Sequence, residues 1–488
     1  APFPGYLCVN TSPMKKIYAI FLWFSTSLVF SEAQTPTFQI PFNNSGGTLS
    51  NELFCVESDQ SGNIYFCGKH TDVITFGGTT LSVGSGGAWF GKLSPGGNLE
   101  WLRQGGTPGT TDIAYGIAPD PRNNGRCYVA GSLNTSSAST FGSQTLPAGY
   151  LGFVACYDAT GSALWLAGTS SAVYSIACDA NGYLFINTGD AAIHKLDAGN
   201  GNDLGTITLS GSLMNPQWHN IVIHGNDVIA QGGNKILKFD NNLNQLWSTP
   251  VNASLAETFR LNLDANGDVY GTFYALFGSV TVGSVTKSNF PNGYVYRLDG
   301  ATGNVLSCDS ILINGAASKI KEYIPAAGSP QFYISGDGAF NTPTVLKDGP
   351  SLSDTWTKVF PSNAPVNDLE IISNNCMVAV GKHSGTSVFD SYTLNLPAGS
   401  AGIDNSYLIG LCSGTVDIPE QSDASTRAYP NPAADYIVMP GNETETITLS
   451  NVLGEHFIVL AIGSNRFDLR GLPAGVYVMP RGMRFLKQ

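Results

Sequence analysis

The sequence predicts an all-β chain, on three observations. Of its 488 residues, 57 are glycine, 11% are aromatic and only 12% are charged. Short strands joined by tight turns need that mixture, whereas solvent-facing helices need many more charges. A phrase of turn, glycine and strand recurs along the middle of the chain. A second phrase, a strand running into a turn and a tryptophan, follows it. Together they predict a seven-bladed β-propeller with a small C-terminal β-sandwich behind it.

The first phrase is clearest as Gly62-Asn63-Ile64-Tyr65-Phe66-Cys67-Gly68, Gly125-Arg126-Cys127-Tyr128-Val129-Ala130-Gly131, Gly182-Tyr183-Leu184-Phe185-Ile186 and Gly267-Asp268-Val269-Tyr270-Gly271. Looser copies at Asp227–Gly232, Gln331–Gly336 and Cys376–Gly381 bring the number to seven. The second phrase carries Trp101, Trp165 and Trp247. Each unit therefore reads as four strands, A to D, and four-stranded units roughly 35–60 residues apart are the mark of a propeller. The last unit ends on strand C at Tyr407–Leu411. Its missing strand D is available at the other end, where Phe38–Gly47 echoes Trp101–Gly106. Pairing of Thr37–Phe42 with Tyr407–Leu411 is expected to close the ring and cover a free edge. The propeller is thus placed at 34–414, with a linker at 415–427.

A third phrase lies between strands B and C of some units: Phe76–Leu81, Phe141–Leu146, Phe277–Val282 and Phe389–Leu394. With this insert the repeats resemble the SBBP β-propeller repeats of secreted bacterial proteins. Long loops on a rigid ring are where binding concentrates. Phe76, Phe141, Phe277 and Phe389 are therefore the candidate ligand-binding residues, for a carbohydrate or protein ligand. The alternative, that these rings cap their own blades, is favoured.

The ends read as an address. Met14-Lys15-Lys16 and the apolar run Ile17–Phe30 form a signal peptide over 14–33, cut between Ala33 and Gln34. Residues 1–13 precede it as an upstream extension without a role. At the other end, Tyr429-Pro430-Asn431-Pro432 opens a run of short strands that includes Leu472-Pro473-Ala474-Gly475-Val476-Tyr477. Residues 428–488 resemble the C-terminal sorting domain of type IX secretion cargo in Bacteroidetes-type bacteria. That resemblance implies the secretion machinery as a partner, and a secreted or outer-surface location.

The net charge of −12 argues against nucleic acid and anionic membrane as partners. Beyond the signal, no segment is apolar enough to span a bilayer. A monomer without cofactor is expected. Gly86–Lys92 has phosphate-loop spacing, but Leu93 stands where Ser or Thr is needed and no helix follows. Asp264, Asn266 and Asp268 alternate as calcium ligands do, yet sit where related units place plain turns, and the turn is the favoured reading. Asp158-Ala159-Thr160-Gly161 before Trp165 resembles the tryptophan-docking repeats of quinone dehydrogenases, but the tryptophan recurs too seldom; packing of blade on blade is expected instead. The six histidines show no metal spacing, and His219 and His224 point to opposite faces of a strand. Cys55 and Cys67 flank one turn symmetrically and are the candidate disulfide. Cys127, Cys156, Cys178, Cys308, Cys376 and Cys412 read as buried thiols. No catalytic residue is identified. An enzyme acting on polysaccharide, a hydrolase or lyase, is the rival to a binding or structural module.

Overall fold

A computed structural model describes residues 35–44, 51–412 and 435–487, with breaks at 42, 72, 77, 83–86, 123–124, 210–220, 233, 254–255, 276–278, 289–291, 312–314, 324–330, 339–343, 349–353, 360–363, 374–375, 390–391, 396–403, 439–445, 452–455, 464–465, 474 and 479–483. The upstream extension, the signal segment with Ala33 and Gln34, the linker, Cys8, His219 and Phe277 lie outside the described residues. The chain divides into two compact units, 1–414 and 415–488. Among the described residues every regular element is a strand, and no helix is long and apolar enough to cross a membrane.

In the first unit, consecutive strands fold into four-stranded antiparallel meanders. The first comprises Glu52–Ser58, Ile64–Lys69, Ala88–Leu93 and Leu99–Gly106. Five more follow over residues 113–169, 173–208, 221–253, 256–311 and 315–359. A seventh combines Val366–Ser373, Cys376–Ser384 and Asp404–Cys412 with the N-terminal strand Thr35–Pro41. The first strands of these sheets touch their neighbours in sequence, and Val366–Ser373 of the seventh touches Glu52–Ser58 of the first, which closes the cycle. This is a β-propeller arrangement.

The burial pattern follows from it. A middle strand is covered on both faces by adjacent sheets, so Ala88–Leu93 and Gly152–Tyr157 are buried at every residue. An outer strand keeps a wet face, and Asp203–Thr208 alternates between exposed and half-buried. The core accordingly lies between sheets. Phe66, Trp89 and Leu102 of the first sheet pack on Val378, Val380 and Leu408 of the seventh, and Phe90 of the first packs with Phe153 and Tyr157 of the second. Each such large side chain stabilises the fold by about 1.5–3 kcal/mol through burial.

The ring is joined by backbone pairing as well. Phe38 stands opposite Gly410, Gln39 opposite Ile409, Ile40 opposite Leu408 and Pro41 opposite Tyr407; Phe42 is outside the described residues. Pro41 is tolerated because this strand is outermost. The inserts obey a matching rule. Hairpin Ser139–Phe141/Gln144–Leu146 adds to the outer strand of the preceding sheet, Thr140 opposite Gly106. Hairpin Val280–Val282/Val285–Lys287 adds in the same way to Gln245–Ala253. For hairpin Ile74–Phe76/Thr79–Leu81 the partner is Asn43–Asn44, just after the N-terminal strand. That segment therefore takes the place an outer strand takes elsewhere.

In the second unit the strand order is Tyr436–Val438, Arg466–Asp468, His456–Gly463, Thr446–Asn451, Gly475–Val478 and Arg484–Lys487. Ile447, Leu449, Val459, Phe467, Leu469 and Tyr477 form its core.

Candidate functional site

Asp59, Asp120, Asp179 and Asp264 stand at the links between first and second strands. Each uses a carboxylate oxygen to accept backbone N–H groups two residues on, and Asp59, Asp179 and Asp264 also four residues on. This is why the recurring phrase needs Asp followed by Gly: the carboxylate caps the turn, and the glycine takes a positive φ, +77° at Gly62 and +85° at Gly267.

The turns at Asp59, Asp120 and Asp264 rim a cavity of about 720 Å³. Its walls come from the ends of the first strands of the first five sheets: Glu57 and Ser58, Ile117 and Ala118, Ile176 and Ala177, Ile221 to Ile223, and Leu261 to Leu263. Asp59, Asp120, Arg122, His224 and Asp264 supply the polar edge. The walls mix aliphatic side chains with Glu57, Ser58 and Asn262, and no Phe, Tyr or Trp is among the described lining residues. Burial alone would raise the Asp120 carboxyl. Hydrogen bonds from Arg122 and Tyr128, with the Arg122 charge, outweigh it and hold the group below the usual carboxylate range.

Two of the three candidate calcium ligands, Asp264 and Asp268, are occupied from within the protein. Asp264 Oδ1 accepts Asn266 N and Asp268 N, both at 2.9 Å. Arg297 Nη2 lies 3.1 Å from Asp264 Oδ2 and 2.7 Å from Asp268 Oδ2. Asp268 Oδ1 accepts Gly300 N at 2.9 Å. A guanidinium stands beside both carboxylates, where a calcium loop would gather its cation.

Of the four insert phenylalanines, the three described lie inward, in keeping with the favoured reading that they cap their blades and not with a ligand-binding face. Phe76, Phe141 and Phe389 are buried at 2%, 0% and 3% exposure. Phe141 packs on Phe153 at 4.3 Å between ring centroids, Phe76 on Phe66 at 5.8 Å and Phe389 on Tyr407 at 5.3 Å. They cap sheets and present nothing to solvent.

The cysteines are corrected in two places. Cys55 and Cys67 are direct cross-strand partners, but both are thiols. Cys67 Sγ donates to Ala114 O of the next sheet at 3.4 Å, and the strand bulges between Leu53 and Cys55. Cys376, read as a thiol, is disulfide-bonded. Cys127, Cys156 and Cys308 are buried thiols as expected, whereas Cys178 is a half-buried one; burial pushes the Cys156 thiol up to about 12 and Cys308 to about 11.

A polar seam between the seventh and first sheets went unread in the sequence. Val56 N donates to Asp368 Oδ2 at 2.9 Å, Ser58 Oγ to Glu370 Oε1 at 2.8 Å, and Asn367 Nδ2 to Leu53 O at 2.8 Å and Glu52 Oε1 at 3.0 Å. Beside it, Cys55, Glu57 and Asp368 bring their ligand atoms within 4.8 Å of one another. Asp368 also accepts Leu369 N at 2.8 Å, so both its oxygens hold backbone. These partners lie more than 300 residues apart, and no local pattern announces them.

No protein-family model matches the chain, and no curated protein matches it. Among solved structures, BamB from Moraxella catarrhalis aligns at a TM-score of 0.42 and 11% identity, covering 78% of this chain and all of that one. The β-propeller domain of Cps50 (Swd1) from Myceliophteria thermophila aligns at 0.45 and 11%, covering 77% of this chain and all of that one. The fold assignment rests on the strand pairing, and neither likeness bears on function.

Proposed function

We propose that the chain is an exported binding module: a seven-bladed β-propeller of the SBBP type, closed by its N-terminal strand. A C-terminal β-sandwich domain serves as its type IX secretion address. The closed cycle of first strands and the pairing of Thr35–Pro41 support the ring. The observation that carries the binding reading is the 720 Å³ cavity rimmed by Asp turns.

Its chemistry selects a ligand class. Among the described lining residues Glu57, Asp59, Asp120 and Asp264 outnumber the basic Arg122 and His224, so the mouth is acidic. The described lining residues offer aliphatic side chains and no flat ring for a sugar to stack on. A protein segment with a basic group and an aliphatic side chain fits better than a glycan. The polysaccharide-cleaving alternative needs a pair of carboxylates free to face substrate, whereas Asp59, Asp120 and Asp264 accept hydrogen bonds within their own turns.

Calorimetric titration tests this, with Lys/Leu-containing peptides and with oligosaccharides. Peptide binding that is lost in Ile223→Asp is the expected result. Binding of oligosaccharide, or release of reducing sugar, would overturn it. The address is tested by mass spectrometry of culture medium: the mature chain should begin near Gln34 and lack everything after about Arg427. Recovery of an intact C-terminal domain on the mature protein would contradict it.

A further inference from the structure

Cys376 is disulfide-bonded. The chain has nine cysteines, and Cys55, Cys67, Cys127, Cys156, Cys178 and Cys308 are thiols. That leaves Cys8 and Cys412 as partners, and Cys8 precedes the expected signal cleavage. Cys376 opens strand Cys376–Ser384, and Cys412 ends strand Asp404–Cys412. The register sets these two residues directly opposite each other. Directly opposed residues of antiparallel strands stand about 4.5–5.5 Å apart at Cα, within the ~4.4–6.8 Å that a disulfide spans.

We propose that Cys376 is bonded to Cys412, and that this bond locks the sheet that closes the ring. Its placement gives it that role. Thr35 pairs with Cys412 on the same rung, so the N-terminal strand, the last strand and its inner neighbour meet there. Cys412 is also the last residue of its strand. A bond there keeps Asp404–Cys412 on its neighbour when the N-terminal strand opens, or when force or proteolysis acts on the chain beyond. Formation joins two thiols by exchange with a disulfide-bearing oxidant: the S–S bond forms here, and two electrons and two protons pass to the oxidant, which becomes a dithiol. In the cell this rests on the export reading, since an oxidising compartment supplies that oxidant; in purified protein, oxidised glutathione does.

The test uses the purified full chain equilibrated with oxidised and reduced glutathione, then alkylated in denaturant without reductant and digested. Mass spectrometry should find one linked peptide pair carrying Cys376 and Cys412. In Cys412→Ser, Cys376 should become alkylated. Reductant should lower the thermal midpoint of the wild type by several degrees and leave that variant unchanged. Should the variant fail to fold, the wild-type peptide map decides alone. Alkylation of Cys376 in the oxidised wild type, or its linkage to any other cysteine, would overturn the proposal. Because the oxidant is added, failure of the export reading leaves this result untouched.

Discussion

The indole of Trp101 lies where a side chain on Gly161 would stand: a Cβ there would meet the ring at 2.8 Å. Trp101 Nε1 also donates to Ala159 O at 3.1 Å, in the same turn of the next sheet. The relationship repeats. Trp165 docks on Ala198 O and Gly201, and Trp247 on Gly300 O and Gly303. The three glycines have φ of +73°, +76° and +73°. The tryptophans of these three outer strands thus pack sheet on sheet.

Gly161→Ala should therefore destabilise through two causes, the left-handed backbone and the displaced indole. About 2 kcal/mol is expected. Trp101→Phe should cost about 1 kcal/mol for the lost hydrogen bond, beyond any packing loss. Thermal midpoints check both, and an unchanged Gly161→Ala would mean that the docking contributes little.

Phe141→Ala should cost about 3–5 kcal/mol, because the ring is fully buried. A residue kept for ligand would show the opposite pattern, with stability retained and binding lost. Thermal midpoint and peptide titration on the same preparation separate the two.

Chelation should leave the thermal midpoint unchanged, since Arg297 supplies the positive charge beside Asp264 and Asp268. A calcium-dependent rise of several degrees that disappears in Asp264→Ala would contradict the assignment.

Burial pushes the His383 imidazole below its usual range, against the Gly385 carbonyl and the Asp404 charge, which pull it upward. The unfolded chain thus binds the proton more readily just below the ordinary value of 6.5. Stability rises with pH wherever the unfolded state holds more protons. The midpoint should fall as pH drops from about 7.5 to about 5.5, and His383→Asn should flatten that slope. Equal slopes in the two proteins would refute it.

What could be read in the sequence was local or repeated. The Asp–Gly turns recur, so the strands around Asp59, Asp120, Asp179 and Asp264 stand where the repeat puts them. The echo between Phe38–Gly47 and Trp101–Gly106 marked the segment that completes the seventh sheet. Phe76 and Phe141 are buried, as the favoured reading has them, although period-two alternation alone cannot tell a solvent face from one covered by the next sheet. The cavity escaped because Glu57, Ile117, Ile176, Ile221 and Leu261 come from five separate sheets. So did the Asn367–Asp368 seam and the bond at Cys376, which depend on register between distant strands.

The N-terminal strand holds the seventh sheet together through its pairing with the last strand. The most direct measurement is the thermal midpoint of the chain with and without Thr35–Phe42. Removing that segment strips the partner from Tyr407–Cys412 and leaves an apolar edge exposed. The truncated chain should unfold at least about 5 °C lower, far beyond what eight ordinary surface residues contribute. Coincident midpoints for the two chains would contradict it.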